Sequence, residues 1–476
     1  MSCVAGCSIS PLAPVMPAPP AAPAAEARLP VTVAADERVE LFATIFRLAG
    51  ADEYSTRFVP AYAKAIDKHF APFKDHAAVK AVAGLRSSRG VAYNAVVDLA
   101  IQFGPLPDLV ERVPLERSEM DKRWTPEAAR DFAAKARDFA RVTDFHRFFV
   151  EQRPLYAAAE RRLRSLAEDE ADLNWVQRFY GGTGKEQFFI VPAPGNGTVY
   201  YGSRYFGPAG EREFYSIITA MDTDVDGFPV FPIGVANLLA HEFGHSYVTP
   251  LILEHYDRDL KAAGDALLEN FGGEMGPQGY SEGSTIIHES IIRAGVAHYR
   301  GQRVGPAAAE RELAAQRNLG FVWIDDLYKL LGDYERDRAR YPDIRSFYPV
   351  LRDYFQALPA RLPTMKSALD ASRPKVVESS PKNGAVNVNP ATTTMTVRFD
   401  RPMRQSWGWK PRSGDMGAWP ELSSPAFDAS RTMLTVKVRL QPNTNYEATF
   451  LTSQFSGANG VAIAPFTLKF RTGRKR

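Results

Sequence analysis

Cysteine is almost absent from this 476-residue chain, where Cys3 and Cys7 are the whole complement. The folded body therefore has no disulfide to staple it and no thiolate to hold a metal, so any metal must be bound by His, Asp or Glu. Charge of one sign is also lacking. Lys and Arg outnumber Asp and Glu by only three, which gives no reason to invoke nucleic acid or an anionic membrane surface. Beyond the first residues no run of about 18 uninterrupted apolar residues exists, so nothing there is built to span a membrane. What is present, 45% hydrophobic and 24% charged residues, is ordinary for a soluble globular protein. The length calls for two or three domains.

The chain opens "MSCVAGCSISPLAPVMPAPPAAPAAEARLP". Residues 4–7, VAGC, resemble the lipobox of bacterial lipoproteins, in which the cysteine is lipidated and becomes the new N-terminus. Only three residues precede it, so the basic and apolar regions of a signal peptide are missing from this match. From Ser8 to Ala25 the chain is uncharged and rich in Pro and Ala, an extended tether. Residues 1–30 thus read as a tether. Membrane attachment is expected only through an N-terminal lipid, in a secreted or cell-envelope protein.

From 31 to 180 the spacing is helical. "ERVELFATIFRLAG" places Val39, Leu41, Phe42, Ile45, Phe46 and Leu48 on one broad face before Gly50. At Gly181 the texture changes. "EQFFIVPAPGNGTVYYGSRYFG" reads as two strands joined by a Pro/Gly/Asn turn, and "EREFYSIITAMD" as a third. A small antiparallel or mixed sheet therefore precedes the next helix, and further helices run to about Ser367. From Pro374 short alternating runs return: Met395, Val397, Phe399; Leu434, Val436, Val438, Leu440; Phe466, Leu468, Phe470. "LQPNTNY" has the pattern of a tyrosine corner. Residues 374–476 resemble the bacterial Ig-like domains of secreted and cell-wall proteins. The fold class expected is α+β: a mainly helical domain over 31–370 carrying a small sheet, then an all-β sandwich over 374–476.

The chemistry centres on "NLLAHEFGHSYVTP", residues 237–250. On a helix His241 and His245 lie one turn apart on one face, so both imidazoles reach one ion about 2.0 Å from each nitrogen. Glu242, offset by one residue, does not compete as a ligand and stands beside water at the metal, where a general base belongs. Pro232, Val235, Leu238, Leu239 and Phe243 mark a buried helix, with Pro250 after its end and Gly244 leaving room near the site. Two satisfied core histidines are the plainer alternative. Val248 and Leu251 replace the glycine and histidine of the metzincin extension, which excludes that subclass.

A catalytic zinc ion, Zn2+, needs a third protein ligand. In "STIIHESIIRAGVAHYR", Glu289 sits among apolar positions, where a carboxylate is costly unless a metal or an internal pair with Arg293 neutralises it. Glu269 and Glu282 are the runners-up. "LLAHEFGHSYVTP", "HESIIRA" and "GFVWIDDLYKLLGDYERDRARYPDIRSFYPVLRDYF" together resemble a family of bacterial secreted domains of uncharacterised function with a gluzincin-type HExxH motif. That resemblance, over about 180–360, implies a zincin-like domain, a zinc site of His241, His245 and Glu289, and Glu242 as base. It also implies a Tyr or His hydrogen-bonding the developing oxyanion. His298 and Tyr299 are the catalytic candidates, with Tyr280 and Arg293 also within chain reach. An edge strand within 198–218 is expected to pair with an extended peptide.

Three other signals fail. "DTDVDG", residues 222–227, copies half a calcium loop, but Ile233 stands where its bidentate Glu belongs, so a solvated turn is expected. "GGTGKEQ" lacks the phosphate-loop spacing and has Glu186 at the magnesium position. Trp407 and Trp409 suit a packed edge better than a sugar platform. The expected function is a zinc metallopeptidase acting on a peptide or protein, with the Ig-like domain a spacer or a contact to a cell-envelope component. The alternatives are an envelope-binding protein with a structural or vestigial zinc site, and a zinc hydrolase of a non-peptide amide.

Overall fold

Strand residues that are apolar on both faces go to the middle of a sheet, and strands with a half-polar face go to its edge. The computed structural model describes residues 31–474 apart from 170, 198–199, 232–233, 412–419 and 452–453. The lipobox, the tether, Pro232 and Ile233 lie outside the described residues. Four strands form the sheet: β1 (Val31–Val33), β2 (Glu186–Pro192), β3 (Tyr201–Phe206) and β4 (Arg212–Ile218). Their order is β1-β2-β4-β3. β1 and β4 run parallel to β2, and β3 runs antiparallel to β4.

Two features of this order were not read from the sequence. β2 and β3 are not neighbours, because β4, whose Phe214, Tyr215, Ile217 and Ile218 are all buried, takes the place between them. β3, alternating buried and half-buried residues, is left at the edge. β1, in a region expected to be helical, is the opposite edge, three residues long and so too short to show a period.

Among the described residues eight α-helices lie between Glu37 and Tyr180. Asp36 caps the first by accepting the N–H groups of Arg38 and Val39. Phe42 and Phe46 pack edge-on against Phe132 to build a core. The motif helix, Val235–His255, lies on the sheet, with Phe243 edge-on to Phe188 at 4.9 Å between centroids. Pro250 falls inside this helix rather than after it. The turn continues because Leu251 and Ile252 are fully buried, a gain that offsets the hydrogen bond a proline cannot make.

The glutamate helix, Gly283–Val304, runs beside the motif helix and is buried on nearly every face. Gly244 sets that closeness. A Cβ there would lie 3.1 Å from the Tyr180 hydroxyl and 3.3 Å from Ile292 Cγ2, so the glycine serves the packing of the two helices.

The C-terminal region is a sandwich of two four-stranded sheets. Its core is drawn from Met395, Val397, Phe399, Leu434, Val436, Val438 and Leu440, with Leu468 and Phe470 opposite. The tyrosine corner is present: the Gln441 N–H donates to the Tyr446 hydroxyl at 2.6 Å. Trp409 packs against Phe450 and Phe455, while Trp407 stays partly exposed. Arg373 ties the two regions together, donating to Glu274 Oε1 at 2.6 Å and to the Ala462 carbonyl at 3.3 Å.

Candidate metal centre

His241 and His245 face Glu289 across the two packed helices. The two Nε2 atoms are 3.2 Å apart. Glu289 Oε2 lies 3.6 Å from His241 Nε2, and Glu289 Oε1 lies 3.4 Å from His245 Nε2. Donors about 2.0 Å from one tetrahedral ion are themselves about 3.3 Å apart. The three side chains therefore have the spacing of a single small divalent ion, and they are the one group of this kind among the described residues. Glu269 is not in it. Glu282 stands at the N-terminus of the glutamate helix and pairs with Lys122 instead.

The surroundings orient each donor. Thr249 Oγ1 lies 3.1 Å from His245 Nδ1 and can accept its proton, leaving Nε2 with its lone pair toward the cluster. Arg293 Nε donates to Glu289 Oε2 at 3.0 Å, while its other nitrogens hold Gln316 Oε1 at 2.7 Å and the Tyr280 hydroxyl at 2.6 Å. The internal pair weighed against a metal site thus exists together with it. Burial pushes His241 down to about 3. Burial also acts to lower His245, but its hydrogen bond to Glu289 and that carboxylate's charge outweigh it, and its pKa is raised. Glu289 is held well below the carboxylate range: burial opposes this, and His241 and Arg293 prevail. Binding of a cation at these donors would compete with protonation of His245.

Glu242 stands beside this triangle, 5% exposed, and burial pushes it up to about 7 against the opposing charge of His245. β3 runs directly over it. A Cβ on Gly202 would lie 2.2 Å from the Glu242 carbonyl oxygen and 3.1 Å from His245 Cβ, so only glycine allows this approach. The Gly207 N–H bonds the Glu211 carbonyl at the end of the β3–β4 hairpin. Odd residues of β3 therefore pair with β4, and the N–H and C=O groups of Gly202 and Arg204 point outward. The outward Gly202 N–H acts to lower the pKa of the Glu242 carboxyl, and the Arg204 carbonyl accepts from Gln102 Nε2 at 3.0 Å.

Two expected residues lie elsewhere. His298 and Tyr299 are nine and ten residues past Glu289 on its helix, about 13–15 Å along the axis at 1.5 Å per residue. His298 Nε2 contacts the Tyr328 carbonyl at 2.7 Å, and its Nδ1 pairs with Glu335. The Tyr299 hydroxyl accepts the Asp172 N–H at 3.1 Å. Tyr280 is near the site, but its hydroxyl serves Arg293.

Two residues went unread in the sequence. Tyr200 is half-buried close enough to Glu242 for that carboxylate to help burial raise its pKa to about 12. His288 stacks edge-on to His245 with centroids 5.4 Å apart, and its buried Nδ1 has no partner among the described residues. It precedes Glu289 in "HES", the signal that was available. The half calcium loop is a turn, in which Asp224 accepts the Asp226 and Phe228 N–H groups and pairs with Arg162. Glu186 likewise closes its own turn by accepting from Thr183. A concavity of about 400 Å3 lined by Arg38, Arg112, Phe189, Glu213 and Tyr215 lies on the sheet face away from the motif helix. Its Arg112 is already held by both oxygens of Glu213.

A mixed sheet with an antiparallel edge strand, laid over a helix whose two histidines meet a glutamate from the next long helix, is an α+β arrangement with one candidate metal centre among the described residues. Residues 31–353 match the family described as "Domain of unknown function (DUF4932)", and the chain belongs to that family. Residues 370–472 match the "Bacterial Ig-like domain". No curated protein matches the chain. Among solved structures it is similar to the S-layer protein rSbsC(31-844), at 15% identity over 50% of this chain and 33% of that one. It is also similar to the N-terminal part of the S-layer protein SbsC, at 13% identity over 50% and 58%. At a TM-score of 0.17 in both, the superposition defines no shared fold. The chain spans about a third of the first of these. No described helix is long and apolar enough to cross a membrane.

Proposed function

We propose that the protein is a zinc-dependent metallopeptidase of gluzincin type that works at the bacterial cell envelope. The observation carrying this is the triangle of His241, His245 and Glu289 donors, 3.2–3.6 Å apart, with the buried carboxylate of Glu242 beside it. A bound zinc ion would supply Lewis acidity, lowering the pKa of water and polarising a carbonyl. Glu242 takes the proton of the attacking water and returns it to the leaving amine, a role suited to a carboxyl with a pKa near 7. Tyr200, half-buried and within the field of Glu242, is the hydroxyl this reading assigns to a developing oxyanion. The outward Arg204 N–H and Gly202 C=O offer an extended substrate one donor and one acceptor. The Ig-like domain and the Pro/Ala-rich leader support the envelope location.

A second reading, a structural zinc in an envelope-binding protein, draws support from the low exposure of the ligands, 18% and 17% for the two histidine side chains. Elemental analysis of zinc per full-length chain, beside His245→Ala and Glu289→Ala, tests the site. About one zinc in wild type and loss in both variants is expected. Retention in Glu289→Ala would move the third ligand elsewhere. Hydrolysis of a mixed peptide library by zinc-loaded wild type, lost at least a hundredfold in Glu242→Gln with zinc retained, separates the enzyme from the structural reading.

A further inference from the structure

The metal centre lies between β3 and the start of the glutamate helix, and one segment of the N-terminal helical region bonds to both of these banks. Residues 118–124 are anchored on both banks. On the β3 bank, Glu119 Oε2 accepts from Arg204 Nε at 2.8 Å. On the other, Lys122 Nζ donates to Glu282 Oε2 at 2.6 Å, and Glu282 stands at the N-terminus of the helix that carries His288 and Glu289. Behind it, Arg123 pins the segment to the protein body, donating to Asn94 Oδ1 at 2.6 Å and to the Ala92 carbonyl at 2.9 Å. Beyond Gly202, then, β3 meets a wall about one pleat repeat away, some 7 Å at 3.3–3.4 Å per residue. The outward carbonyl at that point, on Arg204, is already taken by Gln102. Arg204 pairs with Phe214 in the ladder, so its side chain is on the sheet face that packs on the motif helix. Its Nε serves Glu119, and its charge is felt at His288.

We infer that this site acts on chain ends: a peptide enters until its terminus meets the wall formed by Glu119, Lys122 and Arg204, and the bond next to that terminus lies over the metal centre. The inference rests on the peptidase reading above and adds its substrate class, short peptides or the free ends of longer ones. A strand running past the site in both directions would have to cross the 118–124 segment. The wall offers an ion of either sign a partner, the Arg204 guanidinium and backbone N–H for a carboxylate or Glu119 for an amine.

The test uses full-length Glu242→Gln protein loaded with zinc, which binds without turnover, and calorimetric titration with a mixed-sequence pentapeptide pool. The pool is supplied with free ends, N-acetylated, C-amidated, or blocked at both ends. Blocking one end is expected to weaken binding about tenfold to a hundredfold, the worth of a charge-assisted contact. That discrimination should vanish in Arg204→Gln if the end is a carboxylate, or in Glu119→Gln if it is an amine. Equal affinity for all four pools, or discrimination unchanged in both variants, overturns the chain-end assignment. Wild-type turnover assays keep the two readings apart. Cleavage of interior bonds in doubly blocked 20-residue peptides, as fast as in free ones, defeats the chain-end inference and leaves the peptidase standing. No binding or turnover of any peptide by zinc-loaded protein defeats both.

Discussion

Replacing Arg293 by Met should make zinc bind more tightly, though it removes a neighbour of a metal ligand. Arg293 and Glu289 are buried partners, with side chains 14% and 7% exposed and 3.0 Å between Nε and Oε2. At an effective dielectric of about 20, that contact is worth about 5 kcal/mol. Stripping one partner from a buried pair costs about 3–5 kcal/mol because the other charge is left uncompensated. With zinc bound, the ion compensates Glu289 and most of that cost disappears. The lost hydrogen bonds to Gln316 and Tyr280 remain, but they weigh equally on both states and cancel. The metal-free protein should therefore be destabilised by about 2 kcal/mol more than the loaded one. By linkage, zinc affinity rises by the same amount, roughly thirtyfold. Urea unfolding of both forms, and competition for zinc against a chelator, measure the two sides of this cycle. Weaker zinc binding in Arg293→Met would refute the reasoning, and would mean that Arg293 acts mainly by holding the Glu289 carboxylate in place.

Glu40 is fully buried, and burial pushes it up to about 7 from 4.5 against its hydrogen bond from Tyr62. The unfolded chain binds fewer protons between these values, so stability falls as pH rises through that window, by about 3 kcal/mol. In Glu40→Gln this part of the slope should be missing, and urea unfolding at pH 4.5 and pH 8 that shows the same fall in both proteins would contradict it. Gly202→Ala puts a Cβ 2.2 Å from the Glu242 carbonyl oxygen, so β3 must shift, at a cost of about 1–3 kcal/mol. Hydrolysis should drop at least tenfold while zinc stays near one per chain; parallel loss of zinc would mean that the strand also supports the ligands. Tyr446→Phe leaves the Gln441 N–H without its 2.6 Å partner. The sandwich should lose about 1–2 kcal/mol in denaturant unfolding, with the helical region unaffected.

The local features were legible in the sequence because their causes are local. His241, Glu242 and His245 follow from helical spacing, and Glu289 from the cost of a carboxylate among apolar neighbours. The sandwich core follows from strict alternation, and the Asp224 turn from a side chain that bonds its own backbone. What was not legible depends on distant packing. The displacement of β3 to the edge needs the knowledge that β4 is buried on both faces. His298 and Tyr299 share the glutamate helix with Glu289, but two and a half turns carry them to the Tyr328, Glu335 and Asp172 contacts. Tyr200 comes within the field of Glu242 on a strand that Gly202 lets lie against the motif helix.

β1 has a consequence for synthesis. Val31–Val33 align with Phe188–Ile190 across roughly 155 intervening residues, and β2 in turn needs β4, which ends at Ile218. On a ribosome, the first strand emerges long before its partner exists. The eight intervening helices can collapse on their own short-range contacts, while β1 waits beside them with an unpaired edge. The candidate metal centre, which leans on the far edge of that sheet, is therefore among the last parts of the domain to take shape. A cation present during translation would meet its three ligands together only after Glu289 had left the exit tunnel.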